Sequence, residues 1–427
     1  MNRAPFTTVR GSASISFALL LALGRPATAA QGALAQFVAR PDATTRWEQQ
    51  SDRESGVARV IEAKLVSQTW KGMVWQHALR LTLPKAARPG DVAVLIIGED
   101  RAGAYLDPAA LAAAAGVPVA HLRNVPNQPL FGLSEDGLIA HTFEQYLKTQ
   151  DPDWPLLFPM TKAAVKAMDA VGDLTRRATG AEIRRFIVTG ASKRGWTTWL
   201  TAVVDERVAG IVPVVFDNLN FGPQMKNQLA VWGRYSDQLG DYSERSLQAL
   251  IGTERGRALV AMVDPFAYRA SLARVPKLIV NGSNDPYWEL DAVNLYWDDL
   301  PGPKSLLVVP NAGHDAGGDR RVVDTVAAFV DRIATGRAMP ELHWEANAIA
   351  ATGDLPAHVR IWRADSASRD FRSARWRAVE ASREGDRFIP GAAARGEGFA
   401  ASFAEGDYET RGRPFTLSTP VRIESAR

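Results

Sequence analysis

The fold of this chain is decided by residues 185–200, which read RFIVTGASKRGWTTWL. The first five residues are a strand pattern, and the last five fit a helix. Between them Ser192 stands among small residues, as in a nucleophile elbow, the sharp turn that lifts a serine hydroxyl above a sheet. The usual form is G-x-S-x-G, but Arg194 takes the place of the second glycine, and Gly195 follows. The motif alone indicates either a nucleophile or an ordinary strand-to-helix turn.

Two later strand patterns provide the partners that an elbow serine needs. Residues 276–282 (PKLIVNG) end in a turn that is followed by Asp285, and residues 305–310 (SLLVVP) lead to His314. Among the six histidines, only His314 follows such a strand after the serine, with a glycine before it. Serine hydrolases with this elbow carry their residues in the order serine, acid, histidine, with the acid and the histidine each after a later strand. We therefore predict a catalytic triad of Ser192, Asp285 and His314.

A second acid competes for the same role. Asp217 follows the apolar run of residues 211–216, one strand after the elbow, and some serine hydrolases take their acid from that place. The loop that contains Asp285 is the one usually used in this arrangement, so we prefer Asp285. Asp217 stays the alternative acid.

The predicted chemistry is acyl transfer through an acyl-enzyme, which needs two backbone donors for the oxyanion. One should be the N–H of Lys193, directly after the nucleophile. The second should come from the loop after the strand pattern of residues 91–97, at Gly98 or Glu99. The acidic pair Glu99 and Asp100 either turns outward to nearby basic side chains or contacts a cationic part of the substrate.

The N-terminus predicts export. Residues 1–29 combine two early arginines, an apolar run at 15–23 and a small-residue cleavage site at Ala27-Thr28-Ala29, as in a secretory signal peptide. An uncleaved N-terminal anchor or a disordered tail is the alternative. We predict a periplasmic or secreted protein.

Composition excludes several classes of protein. The first 29 residues contain three arginines and no acid, so the rest of the chain has 47 basic and 47 acidic residues, which gives no nucleic-acid signal. No other long apolar stretch appears, so we expect no stable membrane insertion. Cysteine is absent, which excludes disulfides and thiol catalysis. The histidines are too dispersed to argue for a metal, and we predict neither a metal nor a cofactor.

The remaining patterns predict a mostly parallel sheet with helices on both faces. Alternation over residues 61–65 predicts a strand, with residues 75–84 as its hairpin partner, although an amphipathic helix would also fit the first segment. Asp107 can cap a helix that ends at Gly116, and residues 161–171 place apolar side chains on one helical face.

Two further regions are predicted. Residues 218–270 are too long for a simple crossover and predict an inserted cap, whose aromatics Trp232, Tyr235 and Tyr242 either line a pocket or belong to the core. Residues 341–427 predict a small antiparallel β module that packs on the main domain (30–340), binds carbohydrate or contacts a partner. Its strand-like segments are 359–362, 371–376, 399–403 and 415–418.

Several long motifs resemble one protein family. Residues 125–130, 159–169 and 190–200 look like the PhoPQ-activated pathogenicity-related proteins, and the similarity continues through residues 309–314. It covers the chain from about residue 70 to 340. The resemblance implies an exported α/β-hydrolase whose serine, acid and histidine fall on Ser192, Asp285 and His314. It implies no particular substrate.

We therefore predict an exported serine hydrolase that cleaves an ester or amide of a small molecule or peptide. Peptidase and carboxylesterase are the two subclasses, and the acidic pair after residue 98 slightly favours a substrate with a cationic group. The competing hypothesis is a non-catalytic secreted binding or signalling protein on a hydrolase scaffold.

Overall fold

The computed structural model describes residues 1, 25–56, 58–88, 90–99, 106–391 and 398–425. Of the predicted signal peptide, residues 2–24 lie outside the described residues, and the peptide stays a prediction. The α-helices are α1 (Arg25–Ala39), α2 (Pro108–Ala115), α3 (Glu135–Thr149), α4 (Leu157–Thr179), α5 (Lys193–Val204), α6 (Phe221–Trp232), α7 (Gly240–Ser243), α8 (Leu247–Leu250), α9 (Glu254–Val263) and α10 (Arg320–Ala334).

The strands of the first half are β1 (Arg46–Ser55), β2 (Ala58–Trp70), β3 (Met73–Pro84), β4 (Val92–Ile97), β5 (Val119–Leu122), β6 (Arg185–Ala191), β7 (Val208–Val214), β8 (Lys277–Gly282) and β9 (Lys304–Val309). Those of the second half are β10 (Glu341–Glu345), β11 (Ala348–Thr352), β12 (His358–Ser366), β13 (Arg377–Glu380), β14 (Ser382–Glu384), β15 (Arg387–Ile389), β16 (Phe399–Thr410), β17 (Arg413–Ser418) and β18 (Arg422–Ser425).

One large sheet organises the described residues. Its central strands run parallel in the order β5-β4-β6-β7-β8-β9. Parallel sheets have both faces covered, so their strands are continuous apolar runs. Strand β4 shows this directly because all six of its residues, Val92–Ile97, are buried. The predicted mostly parallel sheet is confirmed.

The two faces of the sheet have separate cores. Ala93, Leu95 and Ile97 of β4 pack in one cluster with α4 and α5, whereas its other three residues pack in a second cluster with α2 and α10. This division follows from the period of two residues along a strand. Helix α2 begins where predicted, since the side chain of Asp107 accepts from Ala109 N, and Gly116 ends it in the left-handed conformation.

The start of the sheet is antiparallel. Strands β1, β2 and β3 pair in sequence, and β3 pairs with β5 at the edge of the parallel section. The strand and hairpin predicted over residues 61–65 and 75–84 are therefore confirmed, and the alternative of a helix is wrong. This places the order of the strands from β2 to β9 as 2-3-5-4-6-7-8-9, with the elbow strand β6 in the centre. The fold is that of an α/β-hydrolase.

The C-terminal strands are antiparallel, as predicted, but they do not form a sandwich of their own. Strands β17, β16, β12 and β13 continue the large sheet, which they join through the pairing of Ser418 with Leu306 of β9. Strands β10, β11, β15 and β14 form a smaller sheet. The division of the chain into domains at residue 340, and of a cap at 218–270, stays a prediction.

One predicted strand is wrong. Residues 371–376 form a turn and a loop instead, although Phe371 and Trp376 are buried as expected of apolar strand residues. The carbonyls of Phe371, Arg372 and Ala374 accept hydrogen bonds from one side chain, the amide of Asn284. Satisfied in this way, the backbone of the segment needs no neighbouring strand.

Candidate active site

Ser192 occupies the junction of β6 and α5. Its backbone has φ +55° and ψ −126°, a conformation that costs about 1–3 kcal/mol for a residue with a side chain and is typically retained at functional sites. A Cβ on Gly190 would lie 2.5 Å from the carbonyl oxygen of Arg194, and one on Gly195 would lie 3.0 Å from Cβ of Phe216. The turn therefore needs glycine at 190 and 195, and it tolerates arginine at 194.

Asp285 and His314 meet at the carboxyl edge of the sheet. Nδ1 of His314 donates to Oδ2 of Asp285 over 2.7 Å, and Oδ1 of Asp285 accepts from the backbone N–H of Tyr287 over 2.8 Å. The ring of Tyr287 stacks on the imidazole, with centroids 4.0 Å apart and planes at 24°. The carboxylate and the stacked ring fix the tautomer and the orientation of His314.

The other nitrogen of His314 is left open. Nε2 is buried and has no hydrogen-bond partner among the described residues, so the structure joins Asp285 to His314 but does not close the link to Ser192 Oγ. Catalytic hydrogen bonds are often long in enzymes without substrate. Ser192 and Tyr287 line the same cavity, and Tyr287 contacts His314. The three predicted residues thus lie around one site.

Asp217 has a different partner. The hydroxyl of Tyr296 donates to its Oδ1 over 2.5 Å. Burial raises the pKa of Asp217 to about 7, and the nearby Asp285 carboxylate adds to this effect, whereas the Tyr296 hydrogen bond opposes it. The structure brings Asp285, and not the alternative acid, to the histidine.

Among the predicted oxyanion donors, the backbone N–H groups of Lys193 and Gly98 differ in their hydrogen bonding. Lys193 is the first residue of α5, so its N–H has no carbonyl partner within the helix. The N–H of Gly98 donates to the carbonyl of Leu122 over 2.8 Å, which contradicts its predicted role as a donor. The imidazole of His121 packs closely on this glycine, since a Cβ there would lie 2.3 Å from Nε2 of His121. Glu99 is exposed and stays a prediction, and residue 100 lies outside the described part.

A partly buried ionic cluster lies at the elbow and consists of Lys193, Arg194, Glu135 and Asp136. Nζ of Lys193 lies 2.7 Å from Glu135 and 3.2 Å from Asp136, and the guanidinium of Arg194 binds both oxygens of Glu135 at 2.7 Å. Burial alone would raise the pKa of Glu135, but the two cations outweigh it and hold the pKa well below the usual range. Glu99 and Asp100 were predicted either to turn towards basic side chains such as these or to contact the substrate, whereas Glu135 and Asp136, which bind the two cations, were not predicted.

The loops that contain Asp285 and His314 are hydrogen-bonded to each other and to residues 371–376. The backbone N–H of Asn284 donates to Ala312, and that of Asn311 donates to Oγ of Ser283. Asn284 also donates to the 371–374 segment, and Asn311 exchanges two hydrogen bonds with the backbone of Trp376. No local pattern in the sequence signals these contacts.

A cavity of about 860 Å³, counted with its open mouth, lies beside Ser192 and Lys193. Its walls are mainly apolar and include α3, α5 and the predicted cap. Of the three cap aromatics proposed as pocket residues, Tyr242 lines the cavity, and its hydroxyl donates to Asp136. Trp232 instead faces the guanidinium of Arg372, and Tyr235 packs on the core.

The described residues contain no group of three or more histidines, aspartates or glutamates suited to a metal ion. None of their helices combines the length and apolar character that crossing a membrane requires.

Comparison with known proteins identifies the family. Residues 34–372 match the family of the PhoPQ-activated pathogenicity-related protein, and the chain belongs to it. A relative is "Autocrine proliferation repressor protein A" of Dictyostelium discoideum, 31% identical over 390 residues, which cover 83% of this chain and 78% of the relative.

Solved structures with a similar backbone include two acetyl xylan esterases. That of a Thermoanaerobacterium species has a TM-score of 0.49 and 14% identity, covering 72% of this chain and 94% of its own. That of a Paenibacillus species has a TM-score of 0.49 and 15% identity, covering 71% and 92%.

Proposed function

We propose that this member of the PhoPQ-activated pathogenicity-related family is an exported serine hydrolase that cleaves esters or amides through an acyl-enzyme. One observation carries the proposal. Asp285 orients His314 and leaves Nε2 unpaired, and the Tyr287 ring that stacks on this imidazole lines the same cavity as Ser192. A buried imidazole nitrogen without a hydrogen-bond partner destabilises the folded protein, so such a group is retained where it serves a function. Accepting a proton from a nucleophile is such a function.

In this mechanism Nε2 of His314 takes the proton from Ser192 Oγ as the oxygen attacks the substrate carbonyl. Asp285 stabilises the imidazolium that forms, and the N–H of Lys193 stabilises the oxyanion. The leaving group departs with the proton from His314. Water, activated by the same imidazole, then releases the acid and restores the serine. The hydrogen bond between Ser192 Oγ and Nε2 of His314 forms, in this mechanism, when the substrate binds.

Export is supported by the sequence of residues 1–29 alone, which resembles a secretory signal peptide. The mature protein would then act in the periplasm or outside the cell. Both subclasses, carboxylesterase and peptidase, are compatible with the mechanism. The apolar cavity favours the carboxylesterase, because the carboxylates near the elbow are already paired with Lys193 and Arg194.

A second candidate is a secreted signalling or binding protein that keeps the hydrolase scaffold. It is favoured by the name of the Dictyostelium relative, which describes repression of proliferation, and by the open link between Ser192 and His314. Fold alone does not decide between the two candidates.

Turnover of p-nitrophenyl butyrate and of aminoacyl p-nitroanilides by the purified protein separates the candidates. We expect ester turnover that falls by at least about a thousandfold in Ser192→Ala, as is typical when a serine nucleophile is removed. Ser382→Ala, at an exposed serine of β14, is the matched control and should keep full activity. Absence of turnover in the folded protein, or turnover that survives Ser192→Ala, would contradict the proposal.

A further inference from the structure

The walls of the cavity beside Ser192 come from three parts of the chain that share an apolar character. Helix α3 contributes Phe143 and Leu147, and the predicted cap contributes residues such as Leu250, Leu259 and Val260. These walls are formed by separate helices, so an acyl chain longer than acetyl is needed to contact them together.

One wall of the cavity is aromatic. The ring of Trp196 stacks on Phe216, with centroids 5.1 Å apart and planes at 19°, and Phe221 and Phe143 pack edge-on at 5.4 and 5.8 Å. Nε1 of Trp196 donates to the carbonyl of Val263, so its one polar atom is already satisfied. The remaining surface favours methylene groups or a ring over a polar ligand.

The charged side chains that face the cavity, Asp136 and Lys193, are already engaged. Oδ1 of Asp136 accepts from the hydroxyl of Tyr242, and Oδ2 lies 3.2 Å from Nζ of Lys193. Lys193 in turn binds Glu135. A cationic substrate group would have to displace Lys193 from Asp136, so the cavity does not support the substrate with a cationic group that the sequence slightly favoured.

The position of the cavity indicates which half of an ester it holds. The cavity is lined by Ser192 and by Lys193, whose N–H is the proposed oxyanion donor. Tyr287 also lines it, and its ring stacks on His314. The imidazole hands its proton to the leaving alcohol, so the alcohol belongs next to Nε2 of His314. His314 is not among the residues that line the cavity, whereas Ser192 and Lys193 are, so we assign the cavity to the acyl group.

We propose that this cavity is an acyl pocket and that the enzyme prefers esters of medium-length or aromatic carboxylic acids to acetates. This inference rests on the proposed function. Ser192 Oγ bonds to the acyl carbon while the alcohol leaves with the proton carried by His314, and water then releases the apolar acid. The acyl chain gains by leaving water for the aromatic and aliphatic walls.

The first test is the chain-length profile of the wild-type protein on p-nitrophenyl esters from acetate to decanoate, below their solubility limits. Each buried methylene can raise kcat/KM by up to about fourfold, and we expect octanoate to exceed acetate by at least about tenfold. A profile that is flat or highest at acetate would overturn the acyl pocket. It would leave the proposed function intact, because Ser192-dependent turnover would still be seen.

The second test fills the pocket. Leu259→Trp replaces a cavity residue that is 7% exposed, and Leu229→Trp makes the same change at a residue of α6 that is 44% exposed and outside the cavity. We expect Leu259→Trp to lower kcat/KM for octanoate by about tenfold or more and to change that for acetate by less than about twofold. Leu229→Trp should change neither. Val260→Phe, at a less buried lining residue, serves if Leu259→Trp does not fold.

A third comparison tests whether the cavity holds the acyl group or the alcohol of the ester. We expect methyl octanoate to be hydrolysed faster than octyl acetate, because the long chain then lies on the acyl side. Faster hydrolysis of octyl acetate would show that the cavity takes the alcohol and would overturn the inference. Failure to hydrolyse any ester, with no covalent labelling of Ser192 by a fluorophosphonate, would instead overturn the proposed function.

Discussion

The loops after β7 and β8 begin alike and end with different partners. Each places an aspartate three residues after the end of its strand, Asp217 after Val214 and Asp285 after Gly282. The two residues are equally buried, at 5% and 6% exposure. Their neighbours differ, since Asp285 accepts from His314 and Asp217 accepts from Tyr296. Spacing and burial therefore do not assign the acid, whereas its partner does.

Two carboxyl groups near the Asp285–His314 pair have raised pKa values. Burial raises the pKa of Asp217 to about 7, and it raises that of the nearby Glu289 to about 8. Both carboxyls are largely neutral below those values, so they add little negative charge beside the Asp285–His314 pair. Asp217 is engaged by Tyr296, whereas Asp285 accepts from His314, which again favours Asp285 as the acid.

Neutralising Asp285 and Asp217 in turn tests which of them is the catalytic acid. We expect Asp285→Asn to lower kcat on p-nitrophenyl butyrate by about 10³- to 10⁴-fold, because an amide there favours the wrong tautomer of His314. Asp217→Asn can still accept from Tyr296 and should change kcat by less than about threefold. Steady-state kinetics at pH 7.5 measure both. If Asp217→Asn abolishes turnover and Asp285→Asn preserves it, the two roles are reversed.

The pH dependence of the free energy of unfolding tests the raised pKa of Asp217. Asp217 has a pKa of about 7 when folded and about 3.8 when unfolded. Below pH 4 both states are protonated, and between pH 4 and 7 the folded state holds the extra proton, so this residue makes stability fall as pH rises. Asp217→Asn removes that loss. We expect its free energy of unfolding, relative to wild type, to rise by about 2 kcal/mol between pH 5 and pH 8.

Urea unfolding at the two pH values measures this difference. Asp237→Asn is the matched control, because Asp237 carries a side chain that is 69% exposed, and its effect should not change with pH. A relative stability of Asp217→Asn that is constant, or that falls as pH rises, would contradict the protonated state of Asp217.

The smallest expected effect concerns the support of the acid loop. The amide of Asn284 donates to three carbonyls of residues 371–374, next to Asp285. We expect Asn284→Ala to lower kcat by about tenfold with little change in KM, since a shift of the acid of less than 1 Å misaligns the imidazole. Asn294→Ala, which loses one bond to the carbonyl of Val421 and none to the 371–374 segment, is the control. Equal kcat values in the two variants would show that Asn284 is merely structural.

The sequence was sufficient wherever a local pattern sets the structure. Strand β4 is an uninterrupted apolar run, β6 and β9 contain the apolar runs 186–188 and 306–309, and Asp107 and Gly116 mark the ends of α2. Asp285 and His314 were found because each follows such a strand. The carboxyl ends of parallel strands meet at one edge of the sheet, and the pairing of the two residues follows from that.

The sequence was insufficient wherever distant residues satisfy one another. Arg194 meets Glu135 across 59 residues, and Asn284 meets Ala374 across 90. The second contact also explains the wrong strand at 371–376, because a side chain supplies the donors that a neighbouring strand would have supplied. Gly98 was misjudged for a similar reason, since its N–H belongs to the pairing of β4 with β5.

Covalent labelling by a fluorophosphonate, with the labelled residue located by mass spectrometry of the digested protein, tests the proposed nucleophile. We expect one adduct, on the peptide that contains Ser192, in the wild-type protein and in Asp217→Asn. We expect much slower labelling of Asp285→Asn and none of Ser192→Ala. A folded wild-type protein that stays unlabelled, or that is labelled at another residue, would contradict the role of Ser192 as the nucleophile.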